Sequence, residues 1–123
     1  MTADATMHIG ELAERTGLSL RTIRHYDETG LLKPSGRSEG GFRLYTESDF
    51  DRLMLIRRMK PLGFSLDEMS ELLKIIGARR ARQTNDVVAA SYQRFVDETV
   101  SRRAKLEQQL AMADEFLELL RQN

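Results

Sequence analysis

The sequence predicts a mainly α protein: a helix-turn-helix, a short winged β-ribbon beside it, and one long C-terminal coiled-coil helix. Three observations carry that expectation. Two short amphipathic stretches meet at a Gly-centred turn, a glycine-rich tip stands before an alternating run, and no Gly or Pro occurs from Thr84 to Arg121. The 123 residues hold 19 Lys+Arg, 19 Asp+Glu, two His and no Cys, so net charge is zero and disulfides or thiolate metal sites are excluded within them. No apolar run is long enough to span a membrane, and the N-terminal residues MTADATMHIGE lack the pattern of a secretory signal, so a cytoplasmic protein is expected. Charge placement is more informative than its sum. From Arg15 to Lys60 ten basic residues face six acids, and half of the ten lie between Arg21 and Arg43.

In chain order, Ile9, Leu12 and Ala13 recur at helical spacing until Thr16-Gly17, where a left-handed residue stops the helix. His8 stands just before it, in a capping or surface role. Ser19 offers an N-cap oxygen to a second helix whose underside is Leu20 and Ile23 and which Gly30 ends. That leaves Arg21, Thr22, Arg24, His25 and part of Tyr26 outward. Two such helices around a Gly turn are the helix-turn-helix pattern, although a plain helical hairpin with a solvated face has the same periodicity.

Next, KPSGRSEGGFRLY forms a turn-rich tip and an alternating strand, with Phe42, Leu44 and Tyr45 available as anchors and Arg43 on the other face. Thr46 caps a third helix with the stripe Phe50, Leu53, Met54, Ile56 and Met59, broken after Lys60 by Pro61. Ser65 and Glu68 make a capping box for a fourth, with the stripe Leu66, Met69, Leu72, Leu73 and Ile76.

The ordered set Ile9-Gly10-Glu11-Leu12-Ala13, Gly17-Leu18-Ser19, Arg21-Thr22-Ile23-Arg24-His25-Tyr26-Asp27, Gly41-Phe42-Arg43-Leu44-Tyr45 and Leu62-Gly63-Phe64-Ser65-Leu66-Asp67-Glu68 resembles the MerR family of bacterial transcription regulators. The resemblance covers the first 76 positions. It implies a winged helix whose second helix enters the major groove of promoter DNA while the wing touches the backbone. It also implies DNA contacts at Arg21, Thr22, Arg24, His25 and Tyr26, at Arg37, Arg43 and Tyr45 on the wing, and at Lys60. Most of these position the protein; Arg21, in the first turn of the recognition helix, is the candidate for reading a base. By the same resemblance the protein is an antiparallel homodimer that distorts its promoter, with RNA polymerase as a further partner and the nucleoid as its place of work.

The organisation expected is a DNA-binding domain over 1–76, a linker over 77–83 beginning at Gly77, and a dimerisation helix over 84–123. A helix of that length overhangs a 76-residue domain, so its apolar side needs a partner. Leu106, Leu110, Ala113, Leu117 and Leu120 form the seam, with Val96 as a less regular continuation. Met69, Leu73, Tyr92, Phe95 and Met112 are candidates for an effector pocket, and equally for ordinary core. Nothing nominates a catalytic residue, metal site or cofactor: the two His are separated and no phosphate loop or paired-carboxylate motif exists. An architectural, excisionase-like DNA protein and a protein-interaction module are the alternative functions.

Overall fold

The computed structural model describes residues 5–123. The element order is β1 (Thr6–His8), α1 (Ile9–Thr16), α2 (Leu20–Glu28), β2 (Gly36–Arg37), β3 (Arg43–Thr46), α3 (Glu47–Met59), a 3-10 turn (Lys60–Leu62), α4 (Leu66–Arg80) and α5 (Asp86–Arg121). The chain divides between Glu71 and Leu72 into two units.

In the first unit local chemistry places most helix boundaries, although His8 at the start of α1 makes no side-chain capping bond. Gly17 closes α1 at φ 71°, and its N–H donates to the carbonyl of Ala13 at 2.9 Å. The Ser19 Oγ accepts from the N–H of Thr22 at 3.0 Å and starts α2. Thr46 and Asp49 form a reciprocal capping box on α3, the Asp49 carboxylate accepting from the Thr46 N–H at 2.9 Å and from the Ser35 hydroxyl. Ser65 and Glu68 do the same for α4 at 3.1 and 2.9 Å. Such caps satisfy backbone donors that a helix leaves open at its N-terminus, at about 1 kcal/mol each.

The core of this unit holds Leu12, Ile23, Tyr45, Leu53 and Ile56, all fully buried, with Met7, Tyr26, Leu32, Met59, Phe64 and Met69 around them. Each fully buried aliphatic side chain contributes about 1.5–3 kcal/mol. On the surface Arg15 joins α1 to α3, donating to Glu47 at 3.1 Å and lying 4.1 Å above the Phe50 ring. That guanidinium holds the Glu47 carboxyl below its ordinary value.

The ribbon is part of a three-stranded antiparallel sheet in the order β1-β3-β2. The expected wing is β2 and β3, paired Arg37 to Arg43 and Gly36 to Leu44. The third strand was not expected: β1 pairs with the other edge of β3, Met7 opposite Tyr45. Three residues are too few to show alternation, and only this pairing makes them a strand.

Several core assignments shift. Leu20 is 39% exposed, leaving Ile23, Tyr26 and Asp27 as the buried side of α2. On α4 the buried residues are Met69 and Ile75, with Leu72, Leu73 and Ile76 half-buried and Leu66 exposed.

In the second unit α4 runs through Gly77 to Arg80. The linker expected over 77–83 is therefore a shorter turn at 81–85. The helix ends in a Schellman arrangement: the N–H of Gln83 donates to the Ala78 carbonyl at 2.8 Å and that of Arg82 to the Arg79 carbonyl at 3.1 Å. Arg82 occupies the left-handed position at φ 57°, where glycine is the usual residue. Asn85 caps α5, its side-chain oxygen accepting from the Val88 N–H at 2.9 Å.

Helix α5 has 36 residues, about 54 Å at 1.5 Å per residue. Ser91 alone of them is buried. The seam residues Val96, Leu106, Leu110, Leu117 and Leu120 are 37%, 45%, 63%, 45% and 53% exposed, and Ala113 is exposed as well. Two cations in the middle of the helix are paired along it, Arg102 with Glu98 at 2.8 Å and Arg103 with Glu107. Among the described residues no helix is long and apolar enough to cross a membrane.

Candidate nucleic-acid interface

Burying Ile23, Tyr26 and Asp27 on one side of α2 turns the opposite side to solvent, and Arg21, Arg24 and His25 lie on it, exposed. Thr22 is half-buried. Its hydroxyl accepts from Ser19 Oγ at 2.8 Å, so its own proton stays available to an external acceptor.

Two clefts flank this helix. One, of about 480 Å³, is lined by Arg24 of α2, Gly41, Phe42 and Arg43 of the wing, and His8 and Ile9 at the start of α1. In it the His8 and Phe42 rings meet edge to face at 6.4 Å. The other, of about 340 Å³, brings His25 and Tyr26 together with Lys60, Phe64, Ser65, Leu66 and Met69. The 3-10 turn thus carries Lys60 beside the exposed end of α2, even though Pro61 interrupts the helix after it. Gly63 at φ 82° lets the chain turn into α4.

Two of the nine expected DNA contacts have buried rings. Tyr26 is 3% exposed and Tyr45 is not exposed at all. Both rings are core, and burial pushes both phenols up. The Tyr45 hydroxyl has no hydrogen-bond partner among the described residues. Strand alternation explains its place: Arg43 and Tyr45 are two apart on β3 and share a face, which turns inward. Phe42 was expected to anchor the wing and is instead 68% exposed. It precedes β3 and so escapes the alternation that placed it inside. The ring rests over Gly40, where an added Cβ would come within 3.0 Å of it.

The wing arginines differ from each other. Arg37 is half exposed, donates to the Gly41 carbonyl at 2.9 Å and closes the loop. Arg43 is 25% exposed in its side chain and donates from Nε to Asp27 Oδ2 at 2.8 Å. That bond holds the Arg43 guanidinium more firmly charged than usual. Asp27, His8 and Phe42 are the members of this surface that sequence reasoning did not nominate. The signal for Asp27 was an acid in the last turn of a helix, where the dipole disfavours it.

The expected effector-pocket residues are divided between the two units. Met69 is buried in the first unit, while Tyr92 lies in the second beneath the guanidinium of Arg79, 3.8 Å from its ring centroid. Met112 is 62% exposed and 17 positions beyond Phe95 on the same helix, about 26 Å away along its axis. Among the described residues no cluster of His, Cys, Asp or Glu could hold a metal ion.

A helix presenting three exposed basic side chains, a wing carrying a fourth, and a long helix with an uncovered leucine seam define the class: a winged helix-turn-helix protein. Known proteins place it further. A model of the MerR HTH family regulatory proteins matches residues 7–75, and one described as MerR, DNA binding matches residues 50–122. The chain belongs to the MerR family. It is 38% identical over 114 residues to the HTH-type transcriptional regulator CueR of Salmonella typhi, covering 88% of this chain and 80% of that one. To an uncharacterized HTH-type transcriptional regulator of Pseudomonas aeruginosa it is 46% identical over 87 residues, which are 71% of this chain and 65% of that protein. Among solved structures it resembles HiNmlR, a MerR family regulator lacking the sensor domain, bound to promoter DNA (TM-score 0.67, 28% identity, 93% of this chain and 80% of that one). These relatives are regulators of transcription rather than enzymes.

Proposed function

We propose that the protein is a sequence-specific transcriptional regulator of the bacterial nucleoid that binds promoter DNA as a homodimer. The observation that carries this is the exposed face of α2, with the cations Arg21 and Arg24 and the imidazole of His25 outward and Lys60 and Arg37 at its flanks. A recognition helix needs such a face because phosphate neutralisation supplies most of the affinity and base edges supply the choice of site. Two copies held by the α5 seam read two half-sites of an inverted repeat. Distortion of the DNA between the half-sites is the route by which such a dimer changes the phase of promoter elements presented to RNA polymerase.

In this reading Arg24, His25, Arg37 and Lys60 meet phosphates, Thr22 donates its free hydroxyl proton, and Arg21 reads a base. Footprinting of the purified protein tests it, with a short palindromic protected site expected. Arg24, Arg37 and Lys60 make about six charged phosphate contacts per dimer, which give a log-log salt slope of about −5. A salt-independent response removes the DNA reading. Arg24→Ala weakens binding to every sequence, whereas Arg21→Ala changes which sequence is preferred by about 1–3 kcal/mol at one position. Equal loss on all sequences for Arg21→Ala removes its base-reading role.

A further inference from the structure

Arg37 and Arg43 are direct cross-strand partners in the wing. Like charges opposite one another on a ribbon repel, and a ribbon this short has little to offset that. Both guanidiniums turn to the same atom, Asp27 Oδ2, with Arg43 Nε at 2.8 Å and an Arg37 amino group at 3.9 Å. The Asp27 side chain is 12% exposed. Its position runs against local preference, since it lies in the last turn of α2, at the end of the helix dipole that favours cations. It also stands within a surface proposed to meet phosphates. A carboxylate set against both fields is explained by the two arginines it serves.

The two arginines are held unequally. Arg43 is the closer and more buried, while Arg37 keeps a side chain 52% exposed and a second bond to the loop carbonyl of Gly41. We propose that Asp27 is a positioning and specificity-determining residue: it ties the wing to the recognition helix through Arg43 and masks that charge from DNA, leaving Arg37 as the wing cation presented to phosphate. The triad then offers one net positive charge per protomer instead of two. This lowers attraction to DNA of any sequence while it holds the wing in register with α2. The inference rests on the DNA-binding reading above.

A charge series on the intact protein tests it, with binding to the footprinted site and to unrelated duplex measured across salt concentrations. Asp27→Asn keeps the shape and an acceptor for Arg43 but frees its charge. The log-log slope steepens by about 2 per dimer, and the ratio of specific to non-specific affinity falls. Arg43→Gln makes the slope shallower by about 2, and the double variant Asp27→Asn/Arg43→Gln returns it to the wild-type value. A carboxylate that only supports the fold predicts otherwise: Asp27→Asn loses thermal stability and binding on all sequences with no steeper slope, and the double variant is shallower than wild type. Either result overturns the proposal. Should Asp27→Asn fail to fold, the double variant alone decides. A wild-type protein with no salt-dependent binding fails the DNA reading itself, which separates that failure from this one.

Discussion

Leu53 and Leu110 are leucines in well-formed helices, yet the first is completely buried and the second is 63% exposed. The first unit closes its own core: α1, α2 and α3 each supply a fully buried aliphatic residue, Leu12, Ile23 and Leu53, and β3 adds Tyr45. Helix α5 buries Ser91 and little else. Helical propensity by itself gives marginal stability in water, and proteins stabilise helices mainly by packing an apolar face. The first unit is thus complete in one chain, whereas α5 carries an apolar row that its own chain leaves exposed. On the function proposed above, the first unit carries DNA recognition and the α5 row is where a second copy packs.

The largest effect that tests this contrast is on assembly. Leu110→Asp places a charge in the middle of the seam of both copies, and two lost leucine contacts are worth about 3–6 kcal/mol per dimer. Sedimentation equilibrium should then show dimer dissociation raised by at least about 100-fold. An unchanged dimer would mean that the seam lies elsewhere on α5. The complementary change is Leu53→Ala, which leaves a cavity in the first unit and costs about 2–5 kcal/mol in denaturant unfolding. A loss below about 1 kcal/mol would show that the core around Leu53 repacks freely.

A smaller effect, of opposite sign, is expected at the turn before α5. Arg82→Gly relieves a left-handed arginine and stabilises the second unit by about 1 kcal/mol, readable as a higher melting temperature. A lower one would show that the arginine side chain contributes more than its backbone costs. The smallest is Tyr45→Phe. Removing a hydroxyl without a hydrogen-bond partner is expected to change stability by less than about 1 kcal/mol and DNA affinity hardly at all. A tenfold loss of affinity with stability intact would return Tyr45 to the interface.

What was legible in the sequence was what adjacent residues decide among themselves. Ser19, Thr46 and Ser65 cap the helices they were expected to cap, and Gly17 ends the first where its positive φ is needed. Arg21, Arg24, His25, Arg37 and Lys60 were nominated and are exposed. The misses have another character. Thr6–His8 is a strand only because β3 is there to pair with it, and Asp27 has its partners 10 and 16 positions away in the wing. The burial of the Tyr26 and Tyr45 rings was not legible because an aromatic with a polar tip suits a core and an interface equally well. Gly77 looked like the start of a linker, and the backbone placed its left-handed residue at Arg82 instead. A glycine tolerates a turn without compelling one.

The unbroken run of α5 makes its length a quantised property. Inserting one residue into it turns everything beyond by about 100° and carries the leucine row off its partner. Inserting seven restores the facing and adds about 10 Å, close to the rise of three base pairs. On the pairing proposed above, such a helix changes length without loss of facing only in heptad steps. It would then act as a ruler graduated by the α-helical repeat, and the half-site spacing of the proposed dimer would be met from that scale.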